Sequence, residues 1–196
     1  MLNKFLNNIL WMPIDIPKFP IQNFYIAPEQ NWKFWDYKKL TVETNNPYSF
    51  SCLSDQIKKS FPLLDRWINL FPFVNIVNIK VNIQKQIVLP HIDFTNPNLK
   101  PDLFKNNQIN DPCGYRVLIR GERDLKLYVM KDNKKIFVNL PNETDVYVLG
   151  QTNCLHGVEE DIGRTTLYLQ FFIDENKQKD LLEKSWKKYK KYAILR

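Results

Sequence analysis

The sequence predicts a mainly β domain, a jelly roll or sandwich flanked by N-terminal and C-terminal helices. Three observations carry this expectation. Short segments of two-residue alternation follow one another between residues 78 and 173, separated by Asn, Asp, Gly and Pro. Aromatic residues make up 14% of the chain, and Val, Ile, Thr and Tyr gather in those same segments, which suits pleated, half-buried surfaces. Strong helical spacing occurs only before and after this run.

The elements follow in order. Residues 1–50 are rich in aromatics, Asn and Pro, with short extended pieces around 12–16 and 38–44. In "SDQIKKSFPLLDRWINLFP" Ser54 is a candidate N-cap, and Ile57, Phe61, Leu64 and Ile68 recur at helical spacing. Pro62 either sits within this helix or splits it in two. In "NIKVNIQ" the apolar Ile79, Val81 and Ile83 alternate with polar neighbours, which predicts a half-buried strand. "QIVLPHIDF" is a second extended segment, and residues 95–114, with their Pro, Asn and Gly, predict a long loop. "YRVLIRG" predicts a strand, and "LKLYVMKDNKKIFVNLP" a hairpin turning at Asp132-Asn133. "DVYVLG" and "RTTLYLQFFI" predict two more strands. "NKQKDLLEKSWKKYKKYAIL" predicts a closing helix, with Leu181, Leu182, Trp186, Tyr189 and Ala193 near one stripe.

A chain of 196 residues fits one domain that buries its own core without disulfides. Within it, residues 1–73 would be N-terminal support, 74–174 the β core and 175–196 a basic helix. The three cysteines are scattered and form no CxxC pair, which excludes a disulfide framework and a zinc-ribbon site and points to a reducing compartment. The apolar start, "MLNKFLNNILWMP", has no small-residue cleavage site and is interrupted by Pro13, so no signal peptide is expected. No apolar run reaches the roughly 18 residues of a membrane span. The expectation is a soluble cytoplasmic protein with no membrane partner. The net charge of +7 comes largely from lysines near the C-terminus. A solvated helix face explains these most simply, and nucleic-acid binding is the alternative.

Candidate chemistry centres on the chain's two histidines. His91 and Asp93 stand two apart in an extended segment, so their side chains share a face and can share a metal ion. His156 is the other histidine that can join them. Two His and one carboxylate on one face of a metal are the ligand set of non-haem Fe(II) oxygenases, with the opposite face left for a chelating co-substrate and O2. Eight residues after His156 comes Arg164, sharing a strand face with Thr166. A guanidinium fork and a hydroxyl aimed the same way suit a carboxylate. Arg116, in "YRVLIRG", is a second cation expected on a nearby strand. Tyr168 and Gln170 continue the Arg164 face, while Leu167, Leu169 and Phe171 take the other.

"LPHIDF", "YRVLIRGERD" and "DVYVLGQTNCLHGVEEDIGRTTLYLQFFID" together resemble the Fe(II)/2-oxoglutarate-dependent oxygenases over about residues 74–174. The nearest branch is the aspartyl/asparaginyl β-hydroxylases, with the prolyl hydroxylases next. The resemblance implies a double-stranded β-helix of jelly-roll, cupin-like form. It implies Fe(II) on His91, Asp93 and His156, with the distal carboxylate of 2-oxoglutarate on Arg164 and Thr166. It implies that Arg116 approaches the other carboxylate. The implied activity is hydroxylation of an unactivated C–H of a peptide, protein or free amino acid, with succinate and CO2 as co-products. Two departures separate this chain from close members of that branch. Leu118 stands where they carry a histidine, and Asp93 is present where some of them lack the acid. A cupin-type binding module without oxygenase activity is the competing expectation.

Overall fold

The computed structural model describes residues 8–20, 35–39, 41–43, 51–53, 55–84, 87–92, 113–150, 154–159 and 163–196. The strands are β1 (Ile9–Pro13), β2 (Trp35–Lys39), β3 (Thr41–Glu43), β4 (Ser51–Leu53), β5 (Phe73–Gln84), β6 (Val88–His91) and β7 (Cys113–Arg120). They continue with β8 (Asp124–Lys131), β9 (Lys134–Asn139), β10 (Val146–Leu149), β11 (His156–Val158), β12 (Thr165–Ile173) and β13 (Ile194–Leu195). The helices are α1 (Asp55–Ser60), α2 (Pro62–Ile68) and α3 (Glu175–Tyr189). Among the described residues, the strands form two antiparallel sheets, as a β-sandwich requires. The larger runs β13-β1-β10-β7-β12-β5-β4-β3, with β2 also on β5, and the smaller runs β6-β11-β8-β9.

The pairing from β5 to β12 is nested. β5 pairs with β12 and β7 with β10 in the large sheet, while β6 pairs with β11 and β8 with β9 in the small one. The innermost pair is the expected hairpin. Its turn residues Asp132 and Asn133 have φ of 50° and 58°. A two-residue turn that follows the twist of its strands needs such values, and Asp and Asn tolerate them better than most residues.

Among the described residues, the central strands of the large sheet are covered on both faces. On one side Ile79, Val81, Val117, Val146, Val148, Leu167 and Leu169 pack with Leu64, Trp67 and Ile68 of α2 and Leu182 of α3. On the other, Leu118, Tyr147 and Leu149 meet Leu125, Leu127, Val129, Val138 and Val158 of the small sheet, together with Trp11. Successive strand residues serve different cores, as the pleat dictates.

Pro62 does split the predicted helix. It opens α2 at a position where its missing N–H costs nothing, and α1 ends before it. Ser54, the expected cap, lies outside the described residues, as does most of the expected 95–114 loop. The end of that stretch is strand, because β7 already starts at Cys113. Asp174 caps α3 by accepting hydrogen bonds from the Asn176 and Lys177 N–H groups, a contact that typically contributes about 1 kcal/mol.

The expectation that this last helix runs to residue 195 is corrected. It stops at Tyr189, and Ile194–Leu195 pair with β1 instead. The edge of β1 offers backbone partners, and Ala193 and Leu195 reach the helix-side core. The helix is fastened to the start of the chain through Asp15, whose N–H donates to Ser185 Oγ and whose carboxylate meets Lys184 at 2.9 Å and Lys188 at 2.6 Å. Part of the lysine-rich face is therefore committed within the domain. Among the described residues, no helix is long and apolar enough to cross a membrane.

Candidate active site

The small sheet brings the two histidines together. β6 and β11 pair antiparallel with His91 directly opposite His156, and the ring centroids are 4.5 Å apart. In each ring Nδ1 lies 2.9 Å from the backbone carbonyl two residues earlier, Leu89 for His91 and Cys154 for His156. A carbonyl only accepts, so both Nδ1 atoms donate, and the neutral tautomer then carries its lone pair on Nε2. This outer contact is the one that orients metal-binding imidazoles. His156 is 2% exposed, whereas His91 is half-buried and nearer solvent.

The approach of these strands depends on Gly157. A Cβ there would collide with the Tyr128 hydroxyl and lie 2.6 Å from the Val88 carbonyl oxygen. The residue beside His156 must therefore be glycine for β6 and Tyr128 to close on β11. Asp93, the third expected ligand, lies outside the described residues. Among those described, no group of three His, Cys, Asp or Glu side chains is placed to hold a metal ion.

The residues expected to bind an acid lie on the large sheet or, for Arg164, just ahead of its strand β12. Arg164 is 1% exposed, and its Nη1 donates to the Leu125 carbonyl of β8 at 2.8 Å, so its side chain bridges the gap between the sheets. Its Nε is buried without a hydrogen-bond partner, and no carboxylate among the described residues pairs with it. Burial pushes its pKa down; nearby Tyr147 pulls it up and Arg116 pushes it down further. A guanidinium keeps its proton regardless, so the interior holds a cation in need of an anion. Glu159, five residues earlier in the chain, takes Lys135. The Gln84 N–H donates to the Arg164 carbonyl at 2.8 Å and fixes the backbone from which the side chain starts. Gly121, at φ 126°, lies against the arginine stem with its Cβ position 3.3 Å from Cγ, leaving little room for a side chain.

Register aligns the remaining groups. Lys80, Tyr168, Arg116 and Tyr147 lie opposite one another across β5, β12, β7 and β10, and Asn82, Thr166 and Leu118 form the next row. Leu167 and Leu169 take the other face, as expected, and pack toward the helices, so these rows face the small sheet. Thr166 is 4% exposed, and the Arg116 guanidinium lies 5.5 Å from the Tyr168 ring centre. The polar side of "NIKVNIQ" therefore lines the sandwich interior, with Gln84 fully buried. Sequence reasoning passed over Gln84, Tyr147 and Trp11. Their alternation was visible, but alternation does not say which side of a sheet is covered. No protein-family model matches this chain, and no curated protein matches it.

Proposed function

We propose that this protein is an Fe(II)/2-oxoglutarate-dependent oxygenase that hydroxylates an unactivated C–H of an amino acid, free or within a peptide or protein. The observation that carries the reading is the in-register His91–His156 pair, with each Nδ1 tied to a backbone carbonyl. The donor chemistry fits iron: two imidazole Nε2 atoms, with Asp93 two residues beyond His91 in sequence as the third ligand. The nested pairing of eight strands across two sheets supports reading the core as a jelly roll of the double-stranded β-helix kind.

Bound there, ferrous iron supplies the O2 activation that couples decarboxylation of 2-oxoglutarate to hydroxylation. The chain's own residues do the rest. Arg164 holds the distal carboxylate by charge and fork geometry, and Thr166 adds a hydroxyl on the same face. Arg116, one row further along, serves the other end of the co-substrate. On β8, Val129 stands opposite His156, and Leu125 receives Arg164. Both ends of the expected site thus meet one strand, four positions apart. The apolar side chains between the sheets keep bulk water from the reacting atoms.

The test is anaerobic titration with Fe(II) and 2-oxoglutarate, followed by succinate assay in air. The reading expects a weak visible charge-transfer absorption that is lost in His91→Ala and His156→Ala, together with slow succinate release even without substrate. Metal binding without any succinate would favour a cupin-type binding module. Absence of both signals in folded protein refutes the reading.

A further inference from the structure

Register shows which part of the large sheet faces the histidine pair. β5 ends at Gln84, whose N–H meets the Arg164 carbonyl just ahead of β12, and β7 ends at Arg120, opposite Thr165. β6 and β8 therefore start at this end of the sandwich and run away from it, as β12 does. From that end the small sheet presents Leu125, then Leu127 beside Val158, then Val129 beside His156 and His91. The large sheet presents Arg164, then Thr166, then Tyr168. The hydrogen bond from Arg164 to the Leu125 carbonyl sets the two series level. The Tyr168 row therefore stands opposite the histidines, across a gap of about 10 Å between packed sheets.

That row is cationic. Lys80 of β5 and Arg116 of β7 flank Tyr168 on its two sides. Register also places Lys39 of β2 opposite Lys80, a like-charge pairing that sheets disfavour. Exposure rises toward the row: Arg164 is 1% exposed and Thr166 4%, whereas Tyr168, Arg116 and Lys80 are half-buried. The space between the sheets thus opens at the level of the histidines, on the side away from Arg164. The Arg116 guanidinium lies 5.5 Å from the Tyr168 ring centre. The ring leans over Gly114 of β7, where a Cβ would lie 3.1 Å from the Tyr168 hydroxyl. Tyr168 and Arg116 form one unit on the β7 side and leave the β5 side of the mouth to Lys80.

We propose that Lys80 is a specificity-determining residue that takes a side-chain carboxylate of the substrate at this mouth. An ammonium on a flexible stem acts as a point charge, without the fixed fork of an arginine. It therefore selects for charge and tolerates side chains of different length, accepting Asp and Glu over their amides. Assigning the carboxylate to a substrate rests on the oxygenase reading; the cationic row facing the histidines does not.

The experiment uses capped tripeptides, acetyl-Ala-X-Ala-amide with X as Asp, Glu, Asn, Gln or Lys. They are titrated by NMR into wild type, Lys80→Met and Lys80→Glu, first without metal and then anaerobically with Mn(II) and 2-oxoglutarate. Wild type is expected to bind the two acids about tenfold more tightly than their amides, the worth of one charge-assisted hydrogen bond at a half-exposed site. Lys80→Met should abolish that preference and leave 2-oxoglutarate affinity unchanged. Lys80→Glu should turn the preference toward the Lys peptide. Bound Mn(II) should broaden the methylene protons beside the peptide carboxylate. An acid preference that is absent from wild type, or survives in Lys80→Met, overturns the proposal; the wild-type comparison decides the matter if a variant does not fold. Loss of 2-oxoglutarate binding in Lys80→Met overturns it by giving the lysine to the co-substrate. With Mn(II) bound, peptide protons that stay sharp overturn it, as does displacement of the acidic peptides by a single-stranded oligonucleotide. If the Lys80-dependent preference occurs in a protein that binds neither Mn(II) nor 2-oxoglutarate, the lysine stands as an acid-binding residue and the oxygenase reading falls. If Mn(II) and 2-oxoglutarate bind but acids and amides bind alike, the proposal falls and the reading stands.

Discussion

Replacing Arg164 by methionine should make the ligand-free protein more stable and deaf to acid ligands. The arginine is 1% exposed, and among the described residues its side chain makes one hydrogen bond, to the Leu125 carbonyl. That charge-assisted bond contributes about 1.5–3 kcal/mol. Against it stands the effective penalty of a buried ion, several kcal/mol, with no carboxylate among the described residues to offset it. Methionine has similar length, adapts to irregular space and carries no charge. The balance favours Arg164→Met by roughly 1–2 kcal/mol, on the pattern of buried ionic groups replaced by apolar ones. At about 2–4 °C per kcal/mol for a chain this size, the melting temperature should rise by roughly 2–8 °C. Urea and thermal melts with and without 2-oxoglutarate measure both effects. A variant less stable than wild type by more than about 2 kcal/mol would show the bond to Leu125 outweighing the desolvation cost, and the arginine would be structural.

Gly157→Ala should cost about 1–3 kcal/mol through overpacking against Tyr128 and Val88, and should weaken Mn(II) binding by pushing β11 off β6; calorimetry and melts read both. Asp15→Asn tests the α3 anchor. Burial alone would raise the Asp15 pKa, but the hydrogen bonds and charges of Lys188 and Lys184 outweigh it and hold the carboxyl below its ordinary value. A depressed folded value stabilises the fold above the unfolded pKa, about 3.9, and that stabilisation fades as pH falls through the folded value. The variant should therefore be less stable at pH 7 by roughly 0.5–1 kcal/mol, since the lysines are largely exposed, and the gap should close as pH falls from about 3.9 through the folded value. A gap that does not narrow across the acid limb would rule out the ion pairs as its source. Asn133→Gly relieves a left-handed residue in the β8–β9 turn, where φ is 58°, and should stabilise by about 0.5–1 kcal/mol in urea melts.

The candidate residues were legible from residue types, and the geometry only in part. His91, His156 and Arg164 stand out because the chain has two histidines and few arginines among many lysines. Their meeting depends on β6–β11 register and on a side chain spanning two sheets, which no local pattern encodes. The hairpin at Asp132-Asn133 was readable because its turn chemistry is local. β13 was not, because two residues become a strand only when an edge such as β1 is present to receive them. Tyr147 and Gln84 escaped for a different reason. Both faces of the large sheet are covered, so alternation separates two interiors instead of inside from outside.

Those two interiors are chemically unlike, and the difference argues for function. The helix-side core is mainly apolar, and the Tyr115 hydroxyl there donates to Gln178 Oε1 and the Ser185 hydroxyl to the Leu181 carbonyl. The inter-sheet space holds Arg164, Thr166, Gln84, Tyr147 and His156, all 4% exposed or less. Folding alone does not call for this asymmetry, since apolar residues in those positions would pack at lower cost. Departures from local folding rules that gather in one place mark where something other than stability is being served. Here they gather between a paired-histidine sheet and a cationic one. That is the arrangement a metal at one end and an acid anchor at the other require.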